Sequence, residues 1–244
     1  MTEKHLSSQF DAELNRVSAR VMEMGGLVEA QIRTAVQALI SFSTAAAEQV
    51  VQNEKRVNAL EVEIDYELSS IIARRQPTAR DLRLLMAFSK ATANLERMGD
   101  EANKMARMVQ SIIESGAARS LPSSELRVAA EMASDLLRKT LDAFARLDTN
   151  AAVAILKEDD LIDEEFNGFV RKLITYMMED PRKISASLDL LFLAKAIERI
   201  GDHSKNVAEQ VIYLVEGKDV RHQSIEQVVS ALQGKDDFHH SMRP

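Results

Sequence analysis

The sequence predicts an all-α protein made of two tandem three-helix bundles that arose by internal duplication. Three observations lead to that reading. Apolar residues recur every three or four positions over long stretches, as in helices that bury one face. Gly and Pro number only 8 and 4 in 244 residues, 45 % of the chain is apolar, and Trp and Cys are absent, a composition that suits helices far better than strands. Finally, Glu96-Arg97-Met98-Gly99-Asp100 returns as Glu198-Arg199-Ile200-Gly201-Asp202 after 102 residues (198 minus 96).

From Phe10, the residues Leu14, Val17, Val21, Met24, Val28, Ile32, Val36 and Leu39 form one apolar stripe and predict the first helix. Ser41-Phe42-Ser43-Thr44 turns the chain into a second, which ends at Gln76-Pro77 because a residue before proline is pushed out of the helical region. Thr78 and Asp81 resemble a capping box that opens a third helix over 79–115. Residues 115–124, with Gly116, Pro122 and several serines, read as the linker between halves. Leu126, Ala130, Ala133, Leu137, Leu141, Phe144 and Leu147 predict a fourth helix, and Asp148-Thr149-Asn150 turns it into a fifth over 151–179. Asp180-Pro181 breaks that helix, and a sixth is predicted over 182–216.

Both halves thus run long helix, turn, helix, X-Pro break, then a helix bearing the pentapeptide. Pro181 follows Pro77 by 104 residues (181 minus 77), so a two-residue deletion after the second proline brings the pentapeptides into register. Repetition of one such unit marks a duplication, and three long antiparallel helices with short turns make a bundle. The bundles are placed at 5–116 and 122–217, followed by an extension at 218–244 in which 224–233 predict a short helix and the end reads as a mobile tail. His239-His240, in that tail, read as incidental.

A net charge of −7 without a basic stripe argues against nucleic acid as a partner. The start of the chain lacks the pattern of a secretory signal, and no run of about 18 uncharged apolar residues is present to span a bilayer. The absence of cysteine removes disulfides and thiolate chemistry and accords with a reducing compartment. The expectation is a cytoplasmic protein that meets membranes only peripherally, through partners.

The candidate chemistry lies in carboxylates spaced four apart: Glu96 with Asp100, Glu198 with Asp202, Asp159 with Asp163, and the polar counterpart Glu54 with Asn58. Like charges at that spacing share a helix face and repel. If the second and third helices of each bundle are neighbours, Glu54 and Asn58 face Glu96 and Asp100, and Asp159 and Asp163 face Glu198 and Asp202. Oxygen clusters of this kind suit divalent cations such as Fe, Zn, Mg or Mn, bound singly or as a multinuclear centre. Asn206 and Asn103 stand within a turn of the motif aspartates and add neutral oxygens. Gly99 and Gly201, each costing roughly 1 kcal/mol of helix propensity relative to alanine, predict close packing beside the carboxylates. The plainer reading is a solvated face neutralised by ion pairs, with Lys104 serving Asp100 and Arg97 serving Glu101. No Glu-x-x-His pair, nucleophile elbow, phosphate loop or HExxH motif is present, so no active site is predicted.

The two pentapeptides, Arg74-Arg75-Gln76-Pro77, Gly217-Lys218-Asp219-Val220-Arg221-His222 and the duplicated layout together resemble the PhoU family of phosphate-signalling proteins, from about His5 to His222. The resemblance implies a non-enzymatic cytoplasmic homodimer that represses the phosphate-starvation response. It implies two partners, the ATPase subunit of the phosphate transporter and a membrane sensor histidine kinase. It also implies a metal motif, Glu or Asp followed four residues later by Asp, which maps onto Glu96 and Asp100, Glu198 and Asp202, and Asp159 and Asp163. Asn58 departs from that motif and sets the first half apart. For partner contact, Leu141 to Asp148 offers an aromatic and an arginine beside a turn, with Phe144, Arg146 and Asp148 as candidates. The alternatives are a carboxylate-bridged metalloenzyme or metal store, and a purely structural helical dimer.

Overall fold

The computed structural model describes residues 8–116, 122, 124–221 and 223–230. Six long helices account for most of it: α1 (Ser8–Ser41), α2 (Thr44–Arg75), α3 (Ala79–Glu114), α4 (Ser124–Arg146), α5 (Thr149–Glu179) and α6 (Ile184–Glu216). At 1.5 Å per residue, the 36 residues of α3 span about 54 Å. Within each half the three helices pack on one another, as predicted for two tandem bundles.

The turns repeat as faithfully as the motifs. Phe42 and Leu147 both take positive φ, 47° and 53°. The residue after each caps the next helix: Ser43 Oγ accepts from Ala46 N at 3.2 Å and Asp148 Oδ1 from Ala151 N at 3.0 Å. A side-chain oxygen there satisfies one of the backbone donors left free at a helix start.

The X-Pro breaks differ. Gln76 closes α2 in the left-handed region (φ 46°), whereas Asp180 is extended and Pro181–Lys183 forms a 3-10 turn before α6. The sixth helix therefore begins at Ile184 and not at 182, because Pro181–Lys183 coils as a 3-10 turn capped by the Asp180 side chain. The capping box expected at Thr78 does not form: its side chain makes no cap bond, and Asp81 N donates instead to the Thr78 carbonyl at 3.1 Å. Gly217 ends α6 at φ 70°, a left-handed cap that favours glycine.

The bundles lie side by side. One buried core runs through both, joining Val28, Leu95 and Met98 to Leu137, Ile197 and Val211. The largest interface is between α3 and α6, so the two pentapeptides sit on helices that pack against each other along the seam between the bundles. At the α1–α4 contact Gly25 admits Leu141, whose Cδ2 lies 2.5 Å from where a Cβ would stand.

Beyond α6, residues 225–230 are helical, and Val220 and Val228 are buried in the common core, so part of the extension belongs to the folded body. The tail with His239-His240, residues 231–233 of the predicted short helix, and most of the predicted linker lie outside the described residues.

Candidate carboxylate faces and the seam between the bundles

Phe144, expected on a partner-contact patch, is a core residue. It is buried and meets Phe88 of α3 edge-on, with ring centroids 5.9 Å apart. Its position on the apolar stripe of α4 outweighs its nearness to the turn. Arg146 and Asp148 are exposed, Asp148 as the α5 cap.

On the first-bundle face, Glu54 is buried on α2, and its Oε2 accepts from Gln31 Nε2 of α1 at 2.6 Å. Gln31 is fully buried, and its Oε1 has no partner. Burial, and the adjacent Asp100 carboxylate, push the Glu54 carboxyl above its ordinary range. Glu96 is raised by burial and then by the charges of Asp100, Glu61 and Glu54, and Glu61 by burial and then by Asp65 and Asp100. Glu61, seven residues after Glu54 and hence on the same face of α2, therefore joins the cluster; two helical turns of spacing was the signal for it. Asn58 is exposed and turns its amide nitrogen to Glu54 Oε1 of its own helix, 3.2 Å away. Asn103 presents a buried, unpartnered Oδ1.

On the second-bundle face, Asp159 is 1 % exposed and its Oδ2 accepts from Lys205 Nζ of α6 at 3.0 Å. Burial pushes its carboxyl up to about 6 against the pull of Lys205. Asp163 is raised by burial and the charge of Glu198, and Asp202 by burial and the charge of Asp163. Glu198 Oε1 accepts from Lys195 Nζ at 2.6 Å, while Glu198 Oε2 and Asp159 Oδ1 are buried without partners. Lys195 also sits over the Phe166 ring, 5.3 Å from its centroid.

The expected opposition of second and third helices is therefore present in both halves, and the carboxylates perturb one another. Among the described residues, however, no three His, Cys, Asp or Glu side chains are gathered closely enough to hold a metal ion. Each face is an electrostatic cluster without a preformed cage.

The glycines take unequal roles. A Cβ on Gly201 would lie 2.7 Å from Asp159 Oδ1, whereas on Gly99 the nearest atom is a Val57 methyl at 3.3 Å. Gly201→Ala is expected to cost about 1–3 kcal/mol through overpacking against a pinned carboxylate. In Gly99→Ala the helix-propensity gain of roughly 1 kcal/mol offsets the milder contact. Urea unfolding of the two variants measures the difference.

A cleft of about 750 Å³ runs along the α3–α6 seam, where Arg97, Asp100, Glu101, Arg199, Asp202 and His203 meet. Glu101 is buried and pairs with Lys104 at 2.8 Å and with Arg199 of the other bundle at 3.2 Å. Arg97, the partner expected from sequence, is exposed, and Arg199 reaches Glu101 because α6 packs against α3. His203 Nδ1 lies 3.1 Å from Asn94 Oδ1, and Asn206 Nδ2 donates to that oxygen at 3.3 Å. Asn206 thus serves the seam between bundles.

This architecture is that of a duplicated helical-bundle protein whose polar groups are engaged in helix packing and charge balance. The PhoU domain matches residues 21–109 and again 126–211, one match per bundle. A Burkholderia sp protein named phosphate-specific transport system accessory protein PhoU homolog is 53 % identical over 227 residues, which are 93 % of this chain and 97 % of that protein. The Escherichia coli (strain K12) protein named phosphate-specific transport system accessory protein PhoU is 45 % identical over 223 residues, 90 % of each chain. The crystal structure of PhoU from Pseudomonas aeruginosa matches with a TM-score of 0.83 at 44 % identity, covering 86 % of this chain and 100 % of that one. The chain belongs to the PhoU family. It is an accessory protein and not an enzyme.

Proposed function

We propose that this protein is a cytoplasmic regulator of phosphate uptake that represses the phosphate-starvation response, linking the ATPase of the phosphate transporter to a sensor histidine kinase and acting as a homodimer. The observation that carries the reading is the match of both halves to one domain, together with near-complete coverage of relatives named as accessory proteins of phosphate-specific transport. No helix among the described residues is long and apolar enough to cross a membrane, so contact with a transporter or a sensor goes through exposed helix faces. An adaptor without chemistry signals only by binding two partners, or two states of one, with different affinity. Deleting the gene and measuring phosphate-starvation transcription in high phosphate tests the proposal. Derepression restored by the intact gene is expected, and continued repression refutes it.

A divalent cation on the first-bundle face is the second part of the proposal. Glu54, Glu61, Glu96 and Asp100 supply hard anionic oxygens, and the unpartnered carbonyl oxygens of Gln31 and Asn103 are neutral donors of the same class. A bound ion there would neutralise charges that now repel, and would tie α2 to α3.

A further inference from the structure

We infer that on the second-bundle face Lys195 and Lys205 stand where a cation would, so that divalent-cation binding by this chain is confined to the first bundle. The inference rests on the cation reading above and depends on a comparison of the halves position by position. The third helices correspond at an offset of 102 and the second helices at 105, as Glu96 with Glu198 and Glu54 with Asp159 show. At those offsets Lys195 corresponds to Ala93, Lys205 to Asn103, and Phe166 to Glu61.

Each face therefore carries four carboxylates, Glu54, Glu61, Glu96 and Asp100 against Asp159, Asp163, Glu198 and Asp202, but among the described residues only the second has lysine ammonium groups paired with them. Both ammonium groups are engaged with it, Lys205 on Asp159 at 3.0 Å and Lys195 on Glu198 at 2.6 Å. Phe166 takes the place of a carboxylate and supplies a ring for the Lys195 ammonium to rest on, which favours that position further. Gly201 completes the arrangement by letting Asp159 approach the α6 backbone.

A divalent ion entering this face would have to displace two covalently attached cations or be repelled by them. The first face has a neutral amide, Gln31, bound to Glu54. The guanidiniums that act on it, Arg107 on Glu54 and Arg97 on Glu96, are both exposed and act through space.

The test is Mn2+ bound per protomer, measured by equilibrium dialysis of the full chain after chelator treatment. Three variants accompany the wild type: Glu54→Gln with Asp100→Asn, Asp163→Asn with Asp202→Asn, and Lys195→Ala with Lys205→Asn, the last copying the first bundle. The first variant is expected to lose roughly tenfold or more in affinity, the second to match the wild type, and the third to gain a further class of sites. Loss of part of the Mn2+ in the second variant, with the rest lost in the first, overturns the inference and leaves the first-face cation reading standing, whereas loss of all of it in the second variant alone overturns both. Mn2+ binding that appears only when the lysines are replaced refutes the cation reading and, with it, the confinement of binding to the first bundle, and upholds only the blocking of the second face by the lysines. Binding by none of the proteins refutes both. Should the lysine variant not fold, the two carboxylate variants decide.

Discussion

Lys205→Ala is expected to destabilise the protein by about 3–5 kcal/mol at pH 7.5, the range for removing one partner of a buried pair and leaving the other charge uncompensated. Asp159 is 1 % exposed, and among the described residues its second oxygen lacks a partner and Lys205 makes its only ion pair. Lys104→Ala is the control. Lys104 pairs with a carboxylate almost as buried, Glu101, yet it is half exposed itself and Glu101 keeps Arg199 at 3.2 Å. A cost within about 1 kcal/mol, as for an exposed pair, is expected there. Urea unfolding followed by circular dichroism measures both, and equal losses would show that Lys205 has no special part in holding α5 to α6.

Stability should also fall as pH rises through the range where Asp159 ionises. Its carboxyl lies near 6 in the fold against an ordinary 3.8, so the native state holds the proton that the unfolded chain releases. The sign follows: this contribution is fully present below pH 3.8 and is lost as pH climbs to about 6. Two pKa units correspond to about 3 kcal/mol. Glu54, Glu61, Glu96, Asp163 and Asp202 are raised as well and act in the same direction.

His203 opposes them, since burial and then the charge of Arg97 lower its pKa and stability from it grows as pH rises toward 6.5. Comparing wild type with Asp159→Asn between pH 4 and 7 cancels the other groups. The wild type should lose about 2 kcal/mol more than the variant across that interval, because at pH 4 the unfolded carboxyl is already partly ionised. Identical pH profiles would mean that Asp159 is not held in a costly ionised state.

The fold was legible in the sequence because helices of this length carry many independent votes. The stripe from Phe10 to Leu39 alone marks a buried face, and the duplication supplied a second reading of every element. What the sequence hid is set by packing across elements. The start of α6 depends on a 3-10 turn at Pro181 that no periodicity reports. Phe144 reads as either core or contact until Phe88 is seen against its ring.

For the candidate faces, the i, i+4 carboxylates were visible, and so was the likelihood that α2 faces α3. The cations were missed because Lys195 stands three residues before Glu198 and Lys205 reaches a different helix. Only the contrast with Ala93 and Asn103 at the repeat offset would have singled them out. The metal expectation drawn from the motif treated both halves as ligand sets. The side chains set the halves apart: on the second face two of the four carboxylates, Asp159 and Glu198, already hold a lysine ammonium.

That division is most directly tested by titrating the isotope-labelled full chain with Mn2+ and recording paramagnetic broadening of backbone amide signals. Broadening that begins on α2 around Glu54 and Glu61, with signals on α5 around Asp159 and Asp163 still sharp, is the predicted result. Broadening that begins on α5 around Asp159 and Asp163, or reaches α2 and α5 at the same Mn2+ concentration, would contradict it.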